Sequence, residues 1–478
     1  MFERRSKLET QEEMWVVAKE LPKATPDGFY RRVNQTLEKI GFAEQVWTIC
    51  TPAYADAAKG GRPGIDPVVY LKMLMVGFFE NLPSERSIAS RCADSLSIRG
   101  FLGYGLTDAT PDHSSLSVIR RRLSLEQFEA LHIALLRALY SHGLLKGRNL
   151  GIDSSVLEAN ASLRELRHRN DEKSYWEYVR QLAREAGVDD SDDEAVRRFD
   201  KKRPGRKTRN ADWVNPHDPE AKVGRTKQGA TDMVYKPEHV SDLDSGAIVQ
   251  VEVRSGDAAD NDASLNQRVL TAVGVLLEVA PEAAAGKVGT TVVADEGYFA
   301  LEQIDQMQSL GIRTVIADPH ARRRRKDLPG RARRTLWRAR AATRSESGKA
   351  LLRKRGEHLE RGFAHMLDHG GLRRATLRGR ENLTKRHMVA ALSFNLSLLL
   401  RGLFGIGTAK QWLAGPLKRL QARLMAAFWR WMARGSDFVD LLSRLLAALG
   451  IGKLRRVFLP VLASTSRFST GCKARLRL

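Results

Sequence analysis

Two short apolar runs, far apart in the chain, each end in an aspartate, and they constrain the fold more than any other feature. In Asn149-Leu150-Gly151-Ile152-Asp153-Ser154-Ser155-Val156, Leu150 and Ile152 alternate around Gly151 before the run turns polar at Asp153. That pattern suits a buried strand with a carboxylate near its C-terminal end. Thr291-Val292-Val293-Ala294 is a second, β-branched run, followed by Asp295-Glu296-Gly297-Tyr298. Carboxylates at two strand ends are what a metal site at the top of a sheet requires. Taken singly, each is equally well a loop aspartate or a helix N-cap.

The stretch before the first run reads as helical and basic. Gly60 to Gly64 marks a turn, after which Asp66 can cap a helix with Pro67 at its first position. A second helix starts at Pro83-Ser84, and a third at Thr110-Pro111-Asp112-His113-Ser114-Ser115, running into Arg120, Arg121 and Arg122. A fourth, Leu125 to Tyr140, is amphipathic through Phe128, Leu131, Leu135 and Leu136. Short helices with serines and arginines near their starts suit a helix-turn-helix reader of DNA, though a plain helical bundle fits these residues equally.

From residue 147 the signals alternate between strand and helix. A charged helix is expected from Ala159 to about Glu185, then polar tracts at Asp189–Glu194 and Lys201–Lys207. Residues 160 to 230 therefore read as a solvated insertion. Strands resume at Met233–Lys236 and Ala247–Val253, joined by a hairpin turn at Asp244-Ser245-Gly246. A helix over 263–279, the strand ending at Asp295, a helix over 301–310 stopped by Gly311, and a strand at Arg313–Ala317 follow. This order gives an α/β fold of ribonuclease H-like layout: a mixed-sheet domain with an insertion after its first strand. Adjacent strands would then bring Asp153 and Asp295 together. A helix over 349–366 carries Glu357 and Glu360; packed against the sheet, Glu360 could complete a three-acid site, though on helical pattern alone it is an ordinary surface acid.

At 478 residues the chain is long enough for about three domains. They are drawn as an all-α N-terminal domain (1–146), the catalytic domain (147–395) and a helical C-terminal tail (396–478) containing Phe428, Trp429 and Trp431. The chain carries 79 Lys+Arg against 56 Asp+Glu, a net charge of +23, which favours a polyanionic partner. The excess is concentrated: from His320 to Arg344 there are eleven Lys/Arg and one acid, centred on Arg322, Arg323, Arg324, Arg325 and Lys326. Like charges this dense repel unless phosphates neutralise them. Cys50, Cys92 and Cys472 are too scattered for a disulfide framework or a zinc cluster, so a reducing cytoplasm is expected. The N-terminus shows no apolar signal core, and Leu396 to Ile406 is broken by Ser397 and Arg401, so no membrane association is expected.

Three local patterns resemble the DDE transposases of bacterial insertion sequences. They are Gly151-Ile152-Asp153-Ser154-Ser155-Val156-Leu157-Glu158-Ala159-Asn160-Ala161; Val293-Ala294-Asp295-Glu296-Gly297-Tyr298; and His358-Leu359-Glu360-Arg361-Gly362-Phe363-Ala364-His365, with Gly370 to Arg374 and Leu377 to Asn382 beyond it. The front end is similar too, in Gly61-Arg62-Pro63, Ser87-Ile88-Ala89 and Thr110 to Ser115. The resemblance implies that Asp153, Asp295 and Glu360 are the catalytic triad and the ligands of Mg²⁺ or Mn²⁺, two ions in all. It implies cleavage at the element's ends and strand transfer into target DNA, with double-stranded DNA as partner, assembly as a homo-oligomer on that DNA, and a place on the bacterial nucleoid. Some relatives set Tyr seven and Arg four residues before the glutamate, and Lys seven after it. Here those positions hold Arg353, Gly356 and Leu367, leaving Arg355 and Arg373 as the nearest basic substitutes and Glu357 as a rival third acid. A nuclease without strand transfer, or a DNA-binding protein with a dead catalytic domain, are the competing expectations.

Overall fold

The alternation at 149–154 forms strand β1 (Asn149–Ser154), paired antiparallel on one side and parallel on the other, so it lies inside a sheet. The computed structural model describes residues 28–54, 64–204, 210–280, 290–323 and 328–413. The other strands are β2 (Leu157–Glu158), β3 (Arg167–His168), β4 (Trp213–Val214), β5 (Lys222–Arg225), β6 (Thr231–Asp242), β7 (Ile248–Ser255), β8 (Thr291–Ala294) and β9 (Arg313–Ile316). In the main sheet the path runs β7-β6-β1-β8-β9, and β6 alone is reversed. That order is ribonuclease H-like. The far half of β6 adds β2 on one edge and β5 on the other. The β6–β7 turn is set by Asp242, whose buried carboxylate accepts from Lys146 N, Asp244 N and Ser245 Oγ.

Alternation assigns the two faces. Leu150, Ile152, Val292 and Ala294 join the large core with α7 (Leu125–Ser141) and α10 (Leu265–Val279). On the other face, Val293, Val315 and Leu243 pack against Leu359. That leucine belongs to the helix Glu346–Ala364, which follows α11 (Leu301–Ser309) and α12 (Gly330–Arg344) and is called α13. Gly151 is required for the approach: a Cβ there would stand 2.6 Å from Leu359 Cδ1 and 2.5 Å from Leu243 Cδ2.

The front end is α1 (Phe29–Lys39), α2 (Phe42–Cys50), α3 (Pro67–Phe79), α4 (Glu85–Asp94), α5 (Leu96–Leu102) and α6 (His113–Arg122), leading into α7. Asp66, Ser84, Asp112 and Ser124 cap the four helices whose starts the sequence marks. Helices α1, α2 and α5 add to these, and Ser95 caps α5 by accepting from Ile98 N.

Three expectations change. No helix starts at Ala159: Leu157 and Glu158 pair with Tyr235 and Val234 of β6 instead, and β6 itself extends well beyond the run expected at 233–236. The 160–230 insertion is folded where described. It forms α8 (Tyr175–Glu185) and α9 (Asp193–Lys202) around Val179, Ala183 and Val196, and Asp192 from the acidic tract caps α9. Arg180 and Arg184 neutralise Asp193 and Asp190. Finally, position 395 lies inside one unbroken helix, α14 (Arg380–Phe404). Asn395 looks like a break in an apolar run, yet its amide serves the first residue of β7, accepting from Ile248 N at 2.9 Å and donating to Ile248 O at 2.8 Å. By length and composition α14 could cross a membrane, but most of it is buried in this core. Residues 414–478, with Phe428, Trp429 and Trp431, lie outside the described residues, as does Cys472.

Candidate active site

Parallel pairing of β1 with β8 sets Leu150 beside Val292 and Gly151 beside Val293. Continuing that register puts Asp153 beside Asp295, both on the face covered by α13. Asp153 Oδ1 accepts from Ser154 N at 2.9 Å, and Asp295 Oδ1 accepts from Gly297 N at 2.9 Å as the cap of a short turn. From α13 the Arg355 guanidinium reaches in, with Nη1 3.0 Å from Asp153 Oδ2. Nε of Arg355 is buried with no hydrogen-bond partner among the described residues. Burial raises the Asp153 pKa above the ordinary carboxylate value; Arg355 opposes this and the neighbouring Asp295 adds to it. Mutual repulsion between two oxygen-donor carboxylates is what a hard divalent cation relieves, so Asp153 and Asp295 fit Mg²⁺ or Mn²⁺.

Glu360 is placed differently. It is exposed on α13, with Oε1 turned back along the helix, 4.0 Å from where a Cβ on Gly356 would lie. Phe363, one turn on, stacks on His239 at 4.1 Å, and His239 pairs with Asp153 across the sheet, so the helix is fixed beside the pair. Still, among the described residues no three acidic, histidine or cysteine side chains converge closely enough to hold a metal ion. The structure thus joins Asp153 to Asp295 and leaves Glu360 outside the pair, exposed on the helix that covers that face. The rival Glu357 is exposed and paired with Arg361 at 2.7 Å.

Behind the strand ends lies a polar network that sequence reasoning missed. Glu238, buried on β6, receives Tyr298 OH at 2.9 Å and sits 3.0 Å from Arg254 Nη1 and 2.6 Å from Arg268 Nε. Arg268 also holds Asp262 at 2.7 Å. Burial raises the Glu238 pKa, and the two arginines oppose the rise. Asp260 receives Ser154 Oγ at 2.9 Å and lies 2.8 Å from Lys236 Nζ. The available signals were Tyr298 in the Asp-X-Gly-Tyr pattern and the acid-rich loop Asp257 to Asp262 after a strand.

The basic candidates divide into inward and outward groups. Arg120 turns inward, paired with Glu85 and bonded to Asn382 Oδ1 at 3.2 Å. Arg121 is exposed, while Arg122, also exposed, lies over the Tyr54 ring at 4.7 Å. Arg373 is exposed and donates to Asp368 at 2.7 Å. Arg322 and Arg323 are exposed; Arg324, Arg325 and Lys326 lie outside the described residues. Helix α12 continues the basic surface with Arg331, Arg333, Arg334, Arg338 and Arg344 exposed, and Trp337 is 71% exposed among them. Arg340 of the same helix is tied to Asp318, just past the end of β9. That end of β9 lies on the same sheet edge as the aspartates.

Comparison with known proteins gives two family matches. Residues 19–122 match a family described as "Transposase domain (DUF772)", and residues 196–396 match one described as "Transposase DDE domain". The second match includes Asp295 and Glu360 and begins after Asp153. No curated protein matches the chain. Among solved structures, a Mos1 transposase paired-end complex with the left transposon end is similar at 11% identity, covering 65% of this chain and 81% of that one, with a TM-score of 0.19. A Mos1 mariner paired-end complex with Mn is similar at 13% identity over 70% of this chain and 87% of that one, also with a TM-score of 0.19.

Proposed function

The chain belongs to the DDE transposases, and on that premise we propose that it cleaves DNA at the ends of its own insertion sequence and transfers the freed strands into target DNA. The observation that carries this reading is the β1–β8 register, which sets Asp153 beside Asp295 under a helix bearing Arg355 and Glu360. Two bound Mg²⁺ or Mn²⁺ ions would supply the Lewis acidity for in-line displacement at phosphorus. Asp153 and Asp295 are the residues that would hold them, with Glu360 as the third carboxylate.

In this proposal the rest of the site binds and orients DNA. Arg355 exchanges its contact with Asp153 for a phosphate, two of whose oxygens its planar guanidinium can grip together. The exposed arginines of α12, with Arg322 and Arg323, take the DNA backbone and position it over the carboxylate edge. The chain acts in the cytoplasm on the nucleoid and assembles with further copies on paired element ends.

The test uses purified full-length protein, Mg²⁺ and DNA carrying the gene's own flanking ends. Nicks at both ends, followed by joined products, are expected. Nicks without joined products would favour a nuclease confined to cleavage. Cleavage retained in Asp153→Asn would overturn the three-acid assignment.

A further inference from the structure

Asp260 borders both strand ends at once. Its Oδ1 receives Ser154 Oγ at 2.9 Å, and Ser154 is the residue after Asp153. Its Oδ2 faces the other strand end: a Cβ on Gly297 would lie 3.6 Å from Asp260 Oδ2 and 3.1 Å from Asp295 Oδ1. Gly297 is the residue whose N–H binds Asp295. Lys236 stands 2.8 Å from Asp260 Oδ1 and balances its charge.

The loop that carries Asp260 is pinned in several places. Arg268 donates to the Asp260 carbonyl at 2.9 Å, Arg254 to the Ala259 carbonyl at 2.6 Å and Lys236 to the Ala258 carbonyl at 3.2 Å. Asn261 donates to Phe299 O at 3.3 Å, tying the loop to the chain just after the Asp295 turn. Moving the loop would break these bonds to partly buried groups, so Asp260 is anchored more firmly than an ordinary surface acid.

We propose that Asp260 is a positioning residue: through its bond to Ser154 on one side, with its loop tied by Asn261 to the chain after the Asp295 turn on the other, it fixes the spacing of Asp153 and Asp295. The inference rests on the reading of that pair as cation ligands, and it does not require Asp260 to touch the cation. Partners that orient a ligand in this way typically change metal affinity by about 10–100-fold.

The experiment measures Mn²⁺ binding to the full chain without DNA by electron paramagnetic resonance, so no turnover is needed. Ser154→Ala keeps every charge and cuts one tether; Asp260→Asn keeps the shape and alters the other partner. Each is expected to weaken Mn²⁺ by about 10-fold, and the double variant to lose no more than one alone, because both act through one contact. Thermal unfolding of Ser154→Ala close to wild type would show that the fold is intact. Wild-type affinity in both single variants, alongside lost binding in Asp153→Asn, would overturn the positioning role and leave the cation reading standing. Fully additive losses would overturn it too, since Asp260 would then act independently of Ser154. If wild-type protein binds no Mn²⁺, the cation reading fails and this inference fails with it.

Discussion

Asp153 and Glu360 carry the same functional group on two sides of one interface, the sheet edge and helix α13, and they are held in different ways. Asp153 stands on a strand bonded to neighbours on both edges, takes the Ser154 N–H and faces Arg355. Asp295 is held by the turn it caps. Glu360 has a fixed backbone, since Leu359 is buried on the sheet and Phe363 stacks on His239, but its carboxylate is exposed and has no partner among the described residues. A strand pair can preset two ligands through backbone hydrogen bonds alone. A helix fixes where a long side chain starts but not where it ends. On the proposed reading, two acids stand ready before any ligand arrives, and the third takes its position with DNA.

Removing a preset acid is expected to have the largest effect. Asp153→Asn and Asp295→Asn should each lower end cleavage by more than about 100-fold, the upper range for merely supporting partners. Combining them should add little, because the two act as one unit. Gel-shift affinity for element ends should remain, since the arginines of α12 are untouched. Loss of DNA binding together with cleavage would mean that the substitution had disturbed the fold, and the comparison would need a gentler variant.

The two sides should separate next at Glu360. Glu360→Gln should cost cleavage about 100-fold while leaving Mn²⁺ affinity of the DNA-free chain within about twofold. Glu357→Gln, which breaks only an exposed i,i+4 pair with Arg361, should leave both unchanged. Equal loss of DNA-free Mn²⁺ binding in Glu360→Gln and Asp153→Asn would break the contrast.

Much of this arrangement was legible in the sequence because its signals are local. Two apolar runs ending in aspartate gave β1 and β8, and the hairpin turn gave the reversed strand between β1 and β7. What was not legible depends on contacts between distant positions. Asp260 matters through residues 154, 236 and 297, which no window contains. Glu238 lies beyond the strand expected at 233–236 and is buried because two arginines and Tyr298 meet it. Asn395 looks like the end of a domain and is a mid-helix clamp on β7. Glu360 was singled out through family resemblance; on helical pattern alone it is an ordinary surface acid.

Acid should separate the strand ends from the helices packed on the opposite face of the sheet. On the sheet side, the raised Asp153 pKa means that the folded state holds that proton more tightly than the unfolded one. Its contribution to stability is therefore present at low pH and lost as pH rises through the folded value. On the helical side, burial pulls His132 of α7 and His387 of α14 down to about 4. Both are neutral in the fold, so their contribution is present above the unfolded value of about 6.5 and is lost as pH falls toward 4. Each costs up to about 1.4 kcal/mol per pH unit across that window. The urea midpoint should fall between pH 7 and pH 5, and His132→Gln, whose amide can still donate to Ile248 O, should reduce the slope. An unchanged slope in that variant would remove His132 from the account.

The smallest expected effect tests rigidity directly, by adding one methyl group on each side. At Gly297 the new carbon would meet Asp295 Oδ1 at 3.1 Å, tighter than ordinary contact, so the carboxylate must shift by a few tenths of an ångström. At Gly356 the nearest atom is Glu360 Oε1 at 4.0 Å, an ordinary contact with a side chain free to move. If the sheet side is preset, Gly297→Ala should weaken DNA-free Mn²⁺ binding a few-fold, on the order of 1 kcal/mol or less, because ligand geometry is disturbed where it is already made. Gly356→Ala should leave Mn²⁺ binding and cleavage unchanged, and should stabilise the fold by about 0.5–1 kcal/mol by removing a glycine from a helix interior. Calorimetric unfolding and Mn²⁺ titration of the two variants side by side provide the check. Unchanged Mn²⁺ affinity in Gly297→Ala would show that the Asp295 turn yields easily, and the strand ends would then be no more rigid than the helix side chain they are compared with.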